Sequence, residues 1–174
     1  MFFVSFSVFE KRIRLKEAVM SRLKELRNHV YDMINKLDDV DERTAAIIHL
    51  NGVALASVIL AKKRGLNEEL AAMAAMLHDL HAYTTGSYDD HAHQGAKLAG
   101  SILKELNLTS NEENDIICSA IYHHDDKLVV DSPMDELLKD ADVISHTMHD
   151  PSKAIKEKEQ ARYDSICAEL GLRG

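Results

Sequence analysis

Ten histidines in 174 residues is a high count, and helical spacing sorts them into two kinds. His78-Asp79 closes the segment NEELAAMAAML, which after its opening acids holds only Leu, Ala and Met. An imidazole and a carboxylate at the end of so apolar a stretch are costly to bury unless both are partnered, and a divalent cation partners both. Neighbouring helical positions point roughly 100° apart. His78 and Asp79 therefore reach one ion only off the helix end, where the carboxylate is free to bridge to a second. The dipeptide alone has another reading, a histidine helix cap followed by an aspartate capping the next turn. Other positions shift the balance. Steps of three and four from His91 pass Gly95, Leu98 and Ile102, beside the stripe Ala92, Ala96, Ala99 and Leu103. His93 leads instead to Lys97, Ser101 and Lys104, and so faces water. His124 lies over Ile117, Ala120 and Ile121, further inward than His123. His49 falls on a face thinned by Ala45, Gly52 and Ala56. Asp142 sits one turn after Leu138 and one before His146, while Asp140 points the other way. A lone inward histidine is usually a satisfied core residue. Five helices each turning such a group inward (His49, His78 with Asp79, His91, His124, Asp142) are better explained by one shared metal centre. Nitrogen and carboxylate ligands without thiolates suit Mn, Fe, Ni, Zn or Mg.

The elements that must position these groups are helices. Residues 15–37 carry apolar side chains at 19, 23, 26, 30, 33 and 37, the pattern of an amphipathic helix. The acids of 38–42 break it. From Arg43 to Leu60 the chain is apolar almost all round, which predicts a central, buried helix. Gly65 reads as a C-cap, and Asn67 opens the helix that ends at His78-Asp79. Residues 83–88 (YTTGSY) read as a loop, and Asp89-Asp90 start the helix of His91. Thr109-Ser110 with Glu112-Glu113 open another, running to about His124. Lys127–Asp131 reads as a short extended piece. Pro133 starts a helix to about Met148, and Pro151 starts a last, charged one. The expectation is an all-α chain: a domain of about seven helices over 41–174, with residues 1–40 packing on it as an apolar segment and an amphipathic helix.

Composition narrows the partners. Twenty-one Lys+Arg against 29 Asp+Glu give a net charge of −8, which disfavours a nucleic-acid polymer or an anionic membrane. Seven Gly and two Pro are too few for an all-β fold of tight turns. Cys118 and Cys167 form no disulfide framework and read as buried thiols of a reducing, cytoplasmic protein. The opening MFFVSFSVF is too short to span a bilayer and has no preceding basic segment or following small-residue cleavage site. Its four phenylalanines (Phe2, Phe3, Phe6, Phe9) favour self-association as a homodimer.

The ordered set His49 in IIHLNGVA, His78-Asp79 in AAMLHDL, His91 in HAHQGAKLA, His124 in AIYHHDDK and Asp142 in LKDADVISH resembles the HD superfamily of metal-dependent phosphohydrolases, over roughly Arg43 to Met148. The resemblance implies that His49, His78, Asp79 and Asp142 form the basic metal quartet. It further implies that His91 and His124 are the extra histidines of members holding two ions. No Gly-Tyr-Pro follows His124, unlike one class of cyclic-dinucleotide phosphodiesterases. The set is closer to small HD proteins that include dinucleoside tetraphosphate hydrolases, although HDLHAY lacks their lysine after the HD pair.

The reaction implied by the resemblance is hydrolysis of a small nucleotide or phosphorylated metabolite. Two ions ~3.5–4 Å apart, bridged by Asp79 and water, would activate that water against phosphorus. Lys127 is the candidate phosphate contact and Tyr83 the candidate residue at the site mouth. His146 is placed to orient Asp142. His29, His81, His93, His123 and His149 are left to the surface or to supporting roles. Two other readings stand beside this one: a diiron oxygenase on the same ligands, and a non-catalytic metal-stabilised module that binds a nucleotide.

Overall fold

Helix starts in this chain are written in side chains. Asp39 Oδ1 accepts the amides of Asp41 (2.7 Å) and Glu42 (3.1 Å), so the helix expected from Arg43 begins at Val40. Asn67 Oδ1 accepts those of Glu69 (3.0 Å) and Leu70 (3.1 Å). Ser110 and Glu113 exchange side-chain and backbone bonds in a capping box. Gly65, at φ 69°, closes α-helical backbone where its sequence position predicts a cap. In the computed structural model the described residues are 22–150, 152 and 154–172. The apolar start of the chain, Pro151 and residues 15–21 lie outside them.

Eight helical segments succeed one another among the described residues: α1 (residues 22–34), α2 (Val40–Arg64), α3 (Glu68–Leu77), α4 (Leu80–Thr85), α5 (His91–Glu105), α6 (Asn111–His123), α7 (Pro133–His149) and α8 (Glu157–Leu170). No strand occurs among them. The fold is all-α, as the periodicity requires. α2 lies against α3 and α7, α5 against α6, and α6 joins the two groups through α3 and α7. Leu26, Val30 and Ile34 of α1 are buried in the same core, and Arg22 reaches Glu113 (3.0 Å) and the Leu108 carbonyl (3.1 Å).

The central helix is α3, where every residue from Leu70 to Leu77 is buried. Composition predicts α2 in that place, and α2 does not occupy it. Its inner face (Leu50, Val53, Leu60) is buried against α3 and α7, whereas Ile48, Leu55 and Ile59 on its outer face are exposed. Apolar composition makes α2 the one described helix long and apolar enough to cross a membrane. Composition does not say which sides of a helix have neighbours.

Three further expectations change. YTTG does not form a loop: Leu80–Thr85 is a helix closed by Gly86 at φ 68°, with Thr84 and Thr85 hydroxyls bonding back to Leu80 and His81 carbonyls. Lys127–Asp131 is a turn and a bend followed by two irregular residues, with no strand, and the Val129 carbonyl accepts from the buried Lys139 ammonium (2.9 Å). The last helix starts at Glu157. Of the two thiols, Cys167 is buried and Cys118 only partly so.

An ion network anchors the helix of Asp142. Arg64 holds Asp140 (2.6 Å) and Glu169 (2.7 Å), while Arg162 holds Asp140 (2.7 Å) and Glu136 (2.9 Å). These bonds tie the end of α2 and the length of α8 to one side of α7, leaving Asp142 on the other. At Gly95 a Cβ would lie 3.0 Å from the His78 carbonyl, so α5 rides directly against the end of α3. That contact brings His91 to Asp79.

Candidate metal centre

His78 is the C-cap of α3, and the chain turns there so that Asp79 precedes α4. The His78 ring bends back and its Nδ1 donates to the Ala75 carbonyl (2.7 Å). His124, the C-cap of α6, does the same to Ile121 (2.7 Å), and His91 to Tyr88 (3.0 Å). Each bond occupies Nδ1–H and leaves Nε2 as a lone pair aimed into the site. On α3 it also satisfies a carbonyl near the helix end.

These lone pairs converge. His49 Nε2 lies 3.1 Å from His78 Nε2, and His91 Nε2 lies 3.2 Å from His124 Nε2. Asp79 stands between the two pairs. Its Oδ2 is 3.5 Å from His49 and from His78, and its Oδ1 is 3.3 Å from His124 and 3.5 Å from His91. Asp142 Oδ1 completes the first group at 3.5 Å from His49 and 3.8 Å from His78. Asp79 Oδ1 and Asp142 Oδ1 are buried and receive no hydrogen bond. Nitrogen lone pairs facing one another and facing unbonded carboxylate oxygens repel, unless protons or cations lie among them. A divalent cation fits this donor set, and the residues fall into the groups His49/His78/Asp79 and Asp79/His91/His124 that such an ion requires. Burial alone would raise both carboxyls. Protons on the surrounding histidines, His78 foremost, would hold Asp79 well below the ordinary carboxylate value, and Lys127 does so for Asp142.

All six expected ligands therefore meet. Lys127 does not stand where a phosphate contact would. It is buried, and its ammonium donates to Asp142 Oδ2 (2.7 Å), the His124 carbonyl (2.7 Å) and the Lys139 carbonyl (3.5 Å). With three protons and three acceptors inside the protein, it reaches the site through Asp142 and not through a substrate phosphate. Tyr83, on α4, sets its ring 6.4 Å from that of His49 and lines the adjoining cavity. Burial, with Asp79 nearby, pushes its hydroxyl far up, so it is a neutral donor.

His146 stands closer to the centre than sequence alone indicates. Its ring stacks on His49 (4.7 Å, 15°), its Nδ1 lies 3.6 Å from Asp142 Oδ1, and with His49 and Asp142 it forms a third ligand-capable group. The signal is its i+4 spacing from Asp142. Arg64 and Arg162, which brace α7, carry no signal short of knowing the packing.

His93 is directed away, as its phase predicts: 46% exposed at its side chain, paired with Asp90 and stacked on Tyr122 (4.0 Å). His91→Ala should lower metal content and activity together, and His93→Ala should change neither. Elemental analysis of the two proteins checks this, and the reverse outcome would invert the phase of α5.

The HD domain family model matches residues 46–147, well over half of the chain. The structure is similar to the crystal structure of a predicted HD superfamily hydrolase from an uncultured Thermotogales bacterium, at a TM-score of 0.57 and 19% identity, over 85% of this chain and 88% of that one. At that identity the likeness is one of fold. No curated protein matches the chain. The matched span begins three residues before His49 and ends five after Asp142, so it encloses the six converging side chains, and the chain belongs to the HD-domain family.

Proposed function

We propose that this chain is a metal-dependent phosphohydrolase acting on a small phosphorylated compound, with two divalent ions per chain. The observation that supports it best is the position of Asp79, one carboxylate whose two oxygens face two separate histidine pairs. Divalent ions held by such a set supply charge to offset a phosphate and acidify water enough for attack at neutral pH. The chain itself carries a net charge of −8 and needs that offset to receive a phosphate.

The protein's own part is placement. Backbone carbonyls of Ala75, Tyr88 and Ile121 fix the rings of His78, His91 and His124, and Lys127 fixes Asp142. Such prepositioned groups need no reorganisation as charge develops. Tyr83 and His146 flank the opening towards the cavity and are the residues placed to touch a substrate. In the reaction the oxygen of water bonds to phosphorus, the ester P–O bond breaks, and the departing oxygen takes up a proton.

The test is elemental analysis of protein purified without chelators or a metal-binding tag, followed by phosphate release from mono- and diesters with Mn²⁺ or Fe²⁺. Two ions per chain and metal-dependent release are expected. One ion would confine binding to His49, His78, Asp79 and Asp142. No uptake from excess Mn²⁺, Fe²⁺ or Ni²⁺ would end the hydrolase reading.

A further inference from the structure

The cavity beside the metal centre has a chemistry of its own. It measures about 960 Å³, at the upper end of the roughly 300–1,000 Å³ of small-molecule sites. His49, Tyr83 and His146 form one end. From there it follows α2, because Gly52, Ala56 and Leu60 continue the face of His49 at helical steps, with Leu55 and Ile59 flanking them on the outer side. His49 to Leu60 is eleven residues, or about 16 Å at the helical rise. Ile144 and Met148 of α7 and Leu170 and Leu172 at the end of α8 also line it.

Ile48, Leu55, Ile59, Met148 and Leu172 all border this groove at 44–65% exposure, so a contiguous aliphatic surface adjoins the site. Contiguity, not exposure of single residues, marks a binding surface. Of the charged lining groups, Lys156 and Glu159 answer each other at 3.3 Å, and Asp150 accepts from the Ser152 amide at 3.2 Å. Apart from Tyr83, His49, His146 and His149, no aromatic ring lines the groove among the described residues, so nothing along α2 past His49 offers a face for a base to stack on.

We propose that the groove holds the aliphatic tail of a phosphorylated amphiphile, a long-chain alkyl phosphate ester, whose phosphate lies at the metal centre. The proposal rests on the phosphohydrolase reading and narrows its substrate class. Along α2 the lining passes from His49 of the centre to Ile59 and Leu60. A nucleotide places hydrogen-bonding groups at both ends.

The experiment is calorimetry of the full chain loaded with Mn²⁺ against propylphosphonate and octylphosphonate, whose C–P bond is not hydrolysed. The longer compound should bind at least about tenfold tighter, since each buried methylene adds a few-fold, and with a more negative heat-capacity change. Leu55→Asp, at a position 65% exposed and so harmless to folding, should return the ratio of affinities to near one. Equal affinity for the two phosphonates overturns the proposal, as does adenosine 5′-monophosphate binding tighter than octylphosphonate. A dimer that Leu55→Asp splits, with no length effect, would place a second copy in the groove and also overturn it. In those cases binding of propylphosphonate and hydrolysis of short esters leave the phosphohydrolase reading standing. Its own failure is distinct: neither phosphonate binds better with metal, and no ester is cleaved.

Discussion

Asp79→Ala is expected to yield a folded protein that emerges from chelator-free purification without metal and without activity. Both oxygens of Asp79 are engaged in the site, Oδ2 with His49 and His78, and Oδ1 with His91 and His124. Truncation removes the one group common to both sets: the His91/His124 pair loses its carboxylate, and the His49/His78 pair keeps Asp142 alone. The loss of turnover should exceed the roughly 10–100-fold that accompanies loss of a ligand's hydrogen-bond partner, because here the ligand itself is gone. Folding should survive. Asp79 precedes α4 without a side-chain capping bond, and its carboxylate is buried among rings whose Nδ1–H groups are already satisfied by carbonyls. Elemental analysis beside a thermal melt of metal-free protein separates the two effects. An Asp79→Ala protein that keeps two ions would refute the bridging role.

The second large effect is on stability. Lys127→Met should destabilise the metal-free protein by about 3–5 kcal/mol, the usual consequence of stripping one partner from a buried ion pair. In a domain this size that lowers the melting temperature by on the order of 10 °C. The cause is Asp142, a buried carboxylate whose Oδ1 is already unbonded and whose Oδ2 relies on the Lys127 ammonium. Denaturant unfolding with and without Mn²⁺ measures it, and the deficit should shrink when metal is present to replace the lost charge. A phosphate-binding lysine would behave oppositely, with unchanged stability and a raised KM. That result would return Lys127 to the role its sequence position implies.

Periodicity is enough to find the side chains that converge, because a helix converts spacing into direction. The separation of His91 from His93, and of His124 from His123, needs only steps of three and four through neighbours whose polarity is written in the chain. Lys127 defeats the same reasoning. It lies in turns, where no period assigns a direction, and its partner Asp142 is fifteen residues away on another helix. α2 misleads for a different reason: residues 45–60 are apolar on every side, but only packing decides which of those sides is covered. Thr84 and Thr85 next to Gly86 read as a turn, yet their hydroxyls bond back to carbonyls one turn earlier and a short helix forms. Local residues specify local geometry well. Occupancy of a face is a property of the whole fold.

The histidine pairs also join distant parts of the chain. His49 and His78 are 29 residues apart, and His91 and His124 are 33 apart. Both cysteines are free, so no disulfide cross-links the described chain. An ion gripped by either pair closes a loop of about thirty residues, and a covalent link over that length removes about 3–4 kcal/mol of unfolded-chain entropy. The centre is thus placed to act as a reversible staple for α2 to α3 and for α5 to α6. Metal supply would then set how long the folded chain survives as well as how fast it turns over.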